Sequence, residues 1–279
     1  MLRRKSMWRG WRWLTIAIVC SGMLAATAGN VLARDLRLAT TTSTDNSGLL
    51  GYLLPRFEAA HGIKVIVISV GTGKALKLGE NGDVDVVLVH SRPDEDRFIE
   101  QEHGVNRRDV MYNDFVIVGP LVDPAALRGG RDAVKAFGKI MDARSVFVSR
   151  GDDSGTHKME LRYWSELGKQ PTGNSGYRSA GRGMGEVLLM ASELSAYALT
   201  DRATFYAMKD KVDLEILVQG DPRLFNPYGV MAVNPAKYPD INFDAAMRFI
   251  DWLTSSQGQQ AISEFKVDGK QLFFPNAAP

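Results

Sequence analysis

The chain has 279 residues, 45% of them apolar, with 34 Lys and Arg against 32 Asp and Glu and a single cysteine. A balance so close to neutral gives no basic field for a nucleic-acid or anionic-membrane partner. One cysteine rules out an intrachain disulfide, so the core alone must stabilise the fold.

The first 33 residues carry a message of their own. Arg3, Arg4, Lys5, Arg9 and Arg12 precede the apolar run Leu14–Cys20, and small residues follow, with A-x-A-like cleavage points after Ala28 and after Ala33. This is the pattern of a secretory signal peptide, too short for a membrane-spanning helix. Arg3-Arg4 hints at twin-arginine export without its full motif, and Val19 argues against lipid attachment at Cys20. Cleavage would remove five basic residues and no acids, so 34 less 5 leaves 29 against 32, a net charge of −3. It would also remove Cys20. A periplasmic location is the expectation, and about 246 residues suit one large domain or two lobes.

Beyond residue 33, short β-branched runs alternate with amphipathic stretches. The spacing predicts strands over 36–40, 64–70, 84–90, 114–118, 145–149, 196–200, 214–218 and 228–233. It predicts helices over 47–61, 74–79, 94–102, 132–141, 156–167, 185–194, 202–207 and 244–255. Strands separated by single helices imply an α/β fold with mixed, mostly parallel sheets flanked by helices. Gly119-Pro120 closes one block and Asn226-Pro227-Tyr228-Gly229 opens another. Two crossings of the chain between two lobes fit this punctuation, with residues 34–118 and 226–279 in one lobe and 119–225 in the other.

Four loops of small and hydroxylic residues lead into helices: Thr41–Gly48, Gly71-Thr72-Gly73-Lys74, Ser149–His157 (SRGDDSGTH) and Gly181-Arg182-Gly183-Met184-Gly185. Loops beyond the carboxyl ends of strands line the ligand crevice of an open α/β sheet. Helix starts there offer unpaired N–H groups and partial positive charge, which suit an anion. Each loop alone could equally be an ordinary helix cap. Gly71–Lys74 is no P-loop, because Ile68 stands where glycine is required and Ala75 where Ser or Thr is required. Gly181–Gly185 lacks dinucleotide spacing.

The stretch SRGDDSGTH admits three chemistries. Ser154 and His157, with Asp152 or Asp153, would form a hydrolase triad, but a helical i, i+3 pair rarely has that geometry and no nucleophile elbow is present. Asp153, His157 and Glu160 would hold a metal, an unspecific signal. The anion reading uses the planar Arg150 fork beside two hydroxyls and the N–H groups of Ser154, Gly155 and Thr156. Its economical form turns Asp152 or Asp153 inward to hold Arg150 or cap the helix, whereas a carboxylate facing the ligand would accept a hydrogen bond only from a protonated anion such as hydrogen phosphate.

Several stretches together carry a family resemblance: Thr40–Ser43 (TTTS) with Ser47–Leu50, Val70–Leu76 (VGTGKAL), Gly82–His90 (GDVDVVLVH), Val110–Pro120 (VMYNDFVIVGP), Phe147–His157 and Asn226–Val230 (NPYGV). The chain resembles the extracytoplasmic tungstate-binding component of ABC importers, a type II periplasmic binding protein, over essentially its whole length after the signal segment. The resemblance implies a two-lobed fold joined by two crossover segments, with one tetrahedral oxyanion in the cleft. It carries binding onto Thr41, Thr42, Ser43, Thr72, Gly73, Arg150, Ser154, Gly155 and Thr156. It implies a non-enzymatic monomer without a cofactor, whose cargo is tungstate, or molybdate or phosphate in relatives of the same fold. The implied partners are an ABC permease and its ATPase. Tyr197 enters by looser analogy with molybdate binders or is a core tyrosine, and Lys74 is a solvated helix-start lysine. Ser175-Gly176-Tyr177 departs from the family pattern, where an aromatic pair is usual.

Overall fold

The computed structural model describes residues 34–278, and the expected signal segment, residues 1–33, lies outside them. The first half of the chain runs β1 (Leu36–Thr41), α1 (Thr42–Asn46), α2 (Leu49–His61), β2 (Val65–Val70), α3 (Thr72–Asn81), β3 (Val86–Val89), α4 (Arg92–Glu100) and β4 (Gly104–Pro120). Next come α5 (Ala133–Asp142), β5 (Phe147–Ser149), α6 (Gly155–Glu166), β6 (Tyr177–Ser179), α7 (Met184–Glu193), β7 (Ala198–Asp201), α8 (Arg202–Met208) and β8 (Leu214–Val218). The chain ends with β9 (Phe225–Val233), α9 (Phe243–Thr254), α10 (Ser256–Glu264) and three two-residue strands, β10 (Lys266–Val267), β11 (Lys270–Gln271) and β12 (Phe274–Pro275).

The 17-residue β4 belongs to both halves of the molecule. In the first half the strand order is β2-β1-β3-β9-β4-β12, parallel from β2 through β3 and antiparallel from β3 onward. In the second, β4 pairs antiparallel with β7 and β8. A parallel bridge from Tyr197 to Phe147 leads on to β5, which pairs parallel with β6. Each half therefore places its first strand between its second and third, then a strand of opposite direction. Parallel strands joined by helical crossovers put the helices on the faces, and β3, apolar and buried at every residue, is a strand covered on both sides.

The cores follow the same division. Leu49, Leu50, Leu53, Leu54 and Phe57, the inward stripe of α2, pack with Phe249, Trp252 and Phe273 in the first half. Phe137, Phe147, Tyr163 and Trp164 pack with Phe115 and Ile117 in the second, where Val116 and Val118 join the α7 face. Phe115–Val118, expected in the first lobe, thus contribute their side chains to the second. The crossing lies at Asn113-Asp114, opposite Asn226 and Phe225 at the start of β9. Because β4 runs straight through, no punctuation in the sequence marks the change of lobe.

Other expectations meet the structure with shifted ends. The helix predicted over 47–61 starts at Leu49 as α2, since Gly48 sits at φ +80° and separates it from the short α1, which the sequence reading took as loop. The first ten residues of β4, the helix α10 and the strands β10–β12 were not predicted.

Candidate functional site

Three of the four loops meet between the halves through direct contacts, and the fourth comes within van der Waals range. Thr41 ends β1 and caps α1, its hydroxyl accepting the Thr44 N–H at 3.3 Å. It also bonds the hydroxyls of Ser43 at 3.0 Å and Thr44 at 2.7 Å. Thr41 and Ser43 are buried, while Thr42 is half-buried and faces the other lobe. There the Arg150 Nη2 donates to Thr42 Oγ1 at 3.3 Å.

The second loop starts α3. Thr72 is fully buried, and its Oγ1 accepts the N–H of Gly155 across the cleft at 3.0 Å. Gly73 lies so close to the opposite lobe that an added Cβ would stand 2.6 Å from Asp153 Oδ2. The absence of a side chain at this position is what allows the approach.

The third loop follows β5. Gly151 adopts φ +59°, and a Cβ there would collide with Ser179. The turn buries Arg150 until only 2% of it is exposed. Asp152 takes the inward arrangement of the anion reading: Oδ2 accepts from Arg150 Nη2, and Oδ1 accepts the N–H of Ser154 at 3.2 Å. Burial alone would raise the Asp152 carboxyl, but the Arg150 charge and these hydrogen bonds hold it below its ordinary value. Asp153 turns to solvent toward Lys158 at 3.5 Å. Ser154 caps α6, accepting the His157 N–H at 3.2 Å, and Gly155 and Thr156 form its buried first turn.

Two buried side-chain donors here have no partner among the described residues, Arg150 Nε and Thr156 Oγ1. Buried polar groups nearly always have partners, because leaving one unmet costs on the order of 1–3 kcal/mol and more for a charged group. Both atoms belong to the one loop and helix start that face Thr42 and Thr72. The fourth loop reaches the same place, for a Cβ on Gly183 would lie 3.6 Å from Thr42 Oγ1. Glu186 there turns back to accept the Gly183 N–H at 3.1 Å.

Other arrangements weighed on the sequence are not assembled. The His157 ring accepts the Asp153 N–H through Nδ1 at 3.2 Å, and Ser154 Oγ is engaged as a cap. Glu160 points into the core, accepting from Ser149 Oγ at 2.5 Å, Tyr177 OH at 2.8 Å and Trp164 Nε1 at 3.1 Å. With no cation on it, burial pushes that carboxyl up to about 7. Among the described residues, no group of three or more His, Cys, Asp or Glu is placed to hold a metal ion. Tyr197 lies wholly in the second core, its hydroxyl donating to Asp123 Oδ1 at 2.9 Å and accepting the Ala125 N–H at 2.8 Å. Lys74 is exposed.

Sequence reasoning missed His90, which directly follows β3 and is buried against the site. Its Nε2 lies 3.3 Å from Ser43 Oγ, and its Nδ1 2.9 Å from Asn226 Oδ1. Burial, reinforced by the Arg150 charge, lowers its pKa to about 4 against the Asn226 bond, so the ring is neutral. The signal was a lone polar residue at the carboxyl end of an otherwise apolar strand, where the other site loops also begin. Also missed was Lys158, which crosses the cleft to Asp94 at 2.8 Å.

Comparison with known proteins shows the family. A family model described as a PBP superfamily domain matches residues 26–257. The tungstate-binding protein TupA of Peptoclostridium acidaminophilum is 50% identical over 245 residues, covering 86% of this chain and 85% of that protein. The Campylobacter jejuni protein of the same name is 39% identical, covering 84% and 88%. The crystal structure of the tungstate ABC transporter from Geobacter sulfurreducens is similar at 54% identity and TM-score 0.77, covering 83% of this chain and 98% of that one. The tungstate-binding protein TupA from Desulfovibrio alaskensis G20 follows at 46% and 0.74, covering 88% and 100%. The buried, donor-rich cleft and these relatives together place the chain in the PBP superfamily, in the family of the tungstate-binding proteins TupA.

Proposed function

We propose that this protein binds a tungstate dianion in the cleft between its lobes and delivers it to an ABC permease for uptake. The observation that carries the reading is the pair of buried donors without protein partners, Arg150 Nε and Thr156 Oγ1, facing the hydroxyl loops of the other lobe. A fully deprotonated oxyanion accepts hydrogen bonds and donates none, so it needs a shell of donors only. Asp152, the nearest carboxylate, is spent on Arg150 and on the N–H of Ser154, which keeps its charge on the protein side of the guanidinium.

On this reading Thr41, Thr42, Ser43, Thr72 and Gly73 form one wall, and Arg150, Ser154, Gly155 and Thr156 the other. The anion bonds to both and stabilises the closed form by its differential affinity for it. Closure presents a surface that the permease recognises, and the ATPase drives transport. The protein acts outside the inner membrane, after removal of its signal segment, as a monomer with no catalytic step and no resident cofactor. Sulfate is selected against by cavity size, since tungsten–oxygen bonds are longer than sulfur–oxygen bonds.

Calorimetric titration of the processed protein with tungstate, molybdate, sulfate and phosphate tests the reading. Trp164 gives a parallel optical signal, because it lies on α6, whose first turn holds Thr156. Tungstate should bind most tightly. Tighter binding of phosphate would overturn the assignment.

A further inference from the structure

We propose that His90, with Asn226 and Asn113, is a positioning residue that fixes the direction of the hydrogen bonds in the first anion loop and ties that loop to both crossover strands. The inference rests on the tungstate reading only for its binding assay.

The argument begins at Asp201, at the far end of a buried polar chain. Its Oδ1 accepts the N–H of Thr204 at 2.9 Å, so it is an acceptor. Asn113, on β4, faces that oxygen with its Nδ2 at 3.5 Å, which leaves its Oδ1 to accept from Asn226 Nδ2 at 2.6 Å. Asn226, on β9, is thereby oriented with Oδ1 toward His90 Nδ1, 2.9 Å away, and a hydrogen is required on that nitrogen. A neutral imidazole carries one N–H, so Nε2 is bare and accepts the Ser43 hydroxyl at 3.3 Å.

The ring has no freedom to choose otherwise. It is buried, with 6% of the residue exposed, and stacks on Tyr228 with centroids 4.9 Å apart and planes 26° apart. From the opposite lobe, Gly155 approaches until an added Cβ would stand 3.2 Å from His90 Cε1. One side chain thus touches the hydroxyl loop, the returning strand β9 and the first turn of α6.

The consequence concerns Ser43. Its hydroxyl hydrogen is held by His90, so Ser43 braces the loop and offers its lone pair to the neighbouring Thr41 hydroxyl, 3.0 Å away. The loop is set before the anion arrives, and binding loses nothing to reorienting it, which is the advantage of preorganisation. Because Asn113 and Asn226 sit opposite each other at the crossing, the same chain transmits the loop's position to the hinge.

Nitrogen-15 NMR of the imidazole in the anion-free protein near neutral pH reads the tautomer directly. The expected result is a neutral ring with hydrogen on Nδ1 and none on Nε2. An Nε2–H tautomer or an imidazolium would overturn the proposal. Variants supply the second readout. His90→Phe keeps the stack and should weaken tungstate binding about tenfold, the scale of one buried hydrogen-bonding group. His90→Gln, which returns an acceptor toward Ser43, should recover most of that loss, whereas His90→Asn, which returns only the donor toward Asn226, should not. Wild-type affinity in His90→Phe would also refute it. If His90→Phe fails to fold, the tautomer decides alone. If the wild-type protein binds no tungstate, the functional reading fails while the tautomer still tests this one.

Discussion

The two walls of the cleft are built from similar residues and treated in opposite ways. In the first lobe, the hydroxyls of Thr41, Ser43 and Thr44 bond to one another, and that of Thr72 accepts from the opposite lobe. In the second lobe, Arg150 and Thr156 keep donor atoms unmatched in a buried place. A self-satisfied hydroxyl cluster is rigid and cheap to bury, whereas an unmatched guanidinium N–H is costly until an acceptor arrives. The comparison teaches that rigidity is concentrated in one wall and attraction in the other.

The largest effect should come from breaking the attractive wall. Arg150→Ala is expected to weaken tungstate binding by about 100-fold or more, since charged hydrogen bonds are worth roughly 1.5–3 kcal/mol each and the fork makes several. Calorimetry beside His157→Ala, expected to bind as wild type, separates loss of the site from general damage to the loop. Equal losses in the two variants would sink the distinction between the anion and the triad chemistries.

A smaller pair of substitutions sharpens the contrast at constant shape. Thr156→Val removes an unmatched donor and should cost about tenfold in affinity, the scale of one hydrogen bond of ~1.4 kcal/mol. Thr72→Val removes a bond between the lobes, and its effect should appear as a faster dissociation rate in stopped-flow fluorescence. Should Thr72→Val slow association instead, the division of labour between the walls would be wrong.

The smallest expected effect lies at the rim, where Lys158 of α6 meets Asp94 of α4 at 2.8 Å. Partly exposed ion pairs contribute about 0.2–1 kcal/mol and weaken with salt. Lys158→Ala should therefore raise the dissociation constant by less than about fivefold, with the difference from wild type shrinking as ionic strength rises. A salt-independent difference would assign Lys158 some other part.

Much of this was legible in the sequence because the relevant features are local. Small and hydroxylic residues after apolar runs mark helix starts at strand ends, and the loops that hold Thr41, Thr72, Arg150 and Thr156 stand out on that ground, whereas the part given to each residue came with the family resemblance. The sequence left open which of Asp152 and Asp153 turns inward; the structure puts Asp152 on Arg150 and on the Ser154 N–H. Three features were not legible. The early part of β4 reads as a charged loop, because Arg107, Arg108 and Asp109 interrupt its alternation; Glu95 and Asp251 pair with the two arginines from other elements. Helix α10 is short and polar, with Ser255 as its cap at 3.3 Å from the Gly258 N–H and too few apolar positions to show a period. The chain from His90 through Asn226 to Asn113 joins residues more than a hundred positions apart, and no spacing rule connects them.

The continuity of β4 through both sheets bears on how the mouth of the molecule can open. With one strand common to both lobes and β9 laddered beside it at the crossing, the spine is a two-stranded ribbon rather than a loose tether. Two-stranded ribbons accommodate a wider range of twist than larger sheets. Tyr112, stacked on Phe274 and tilted against Phe225 with centroids 5.2 and 5.1 Å away, packs along the ribbon's outer face. A motion that parted the two walls while keeping this ribbon paired would turn one lobe about it and leave the hydrogen bonds within each wall intact.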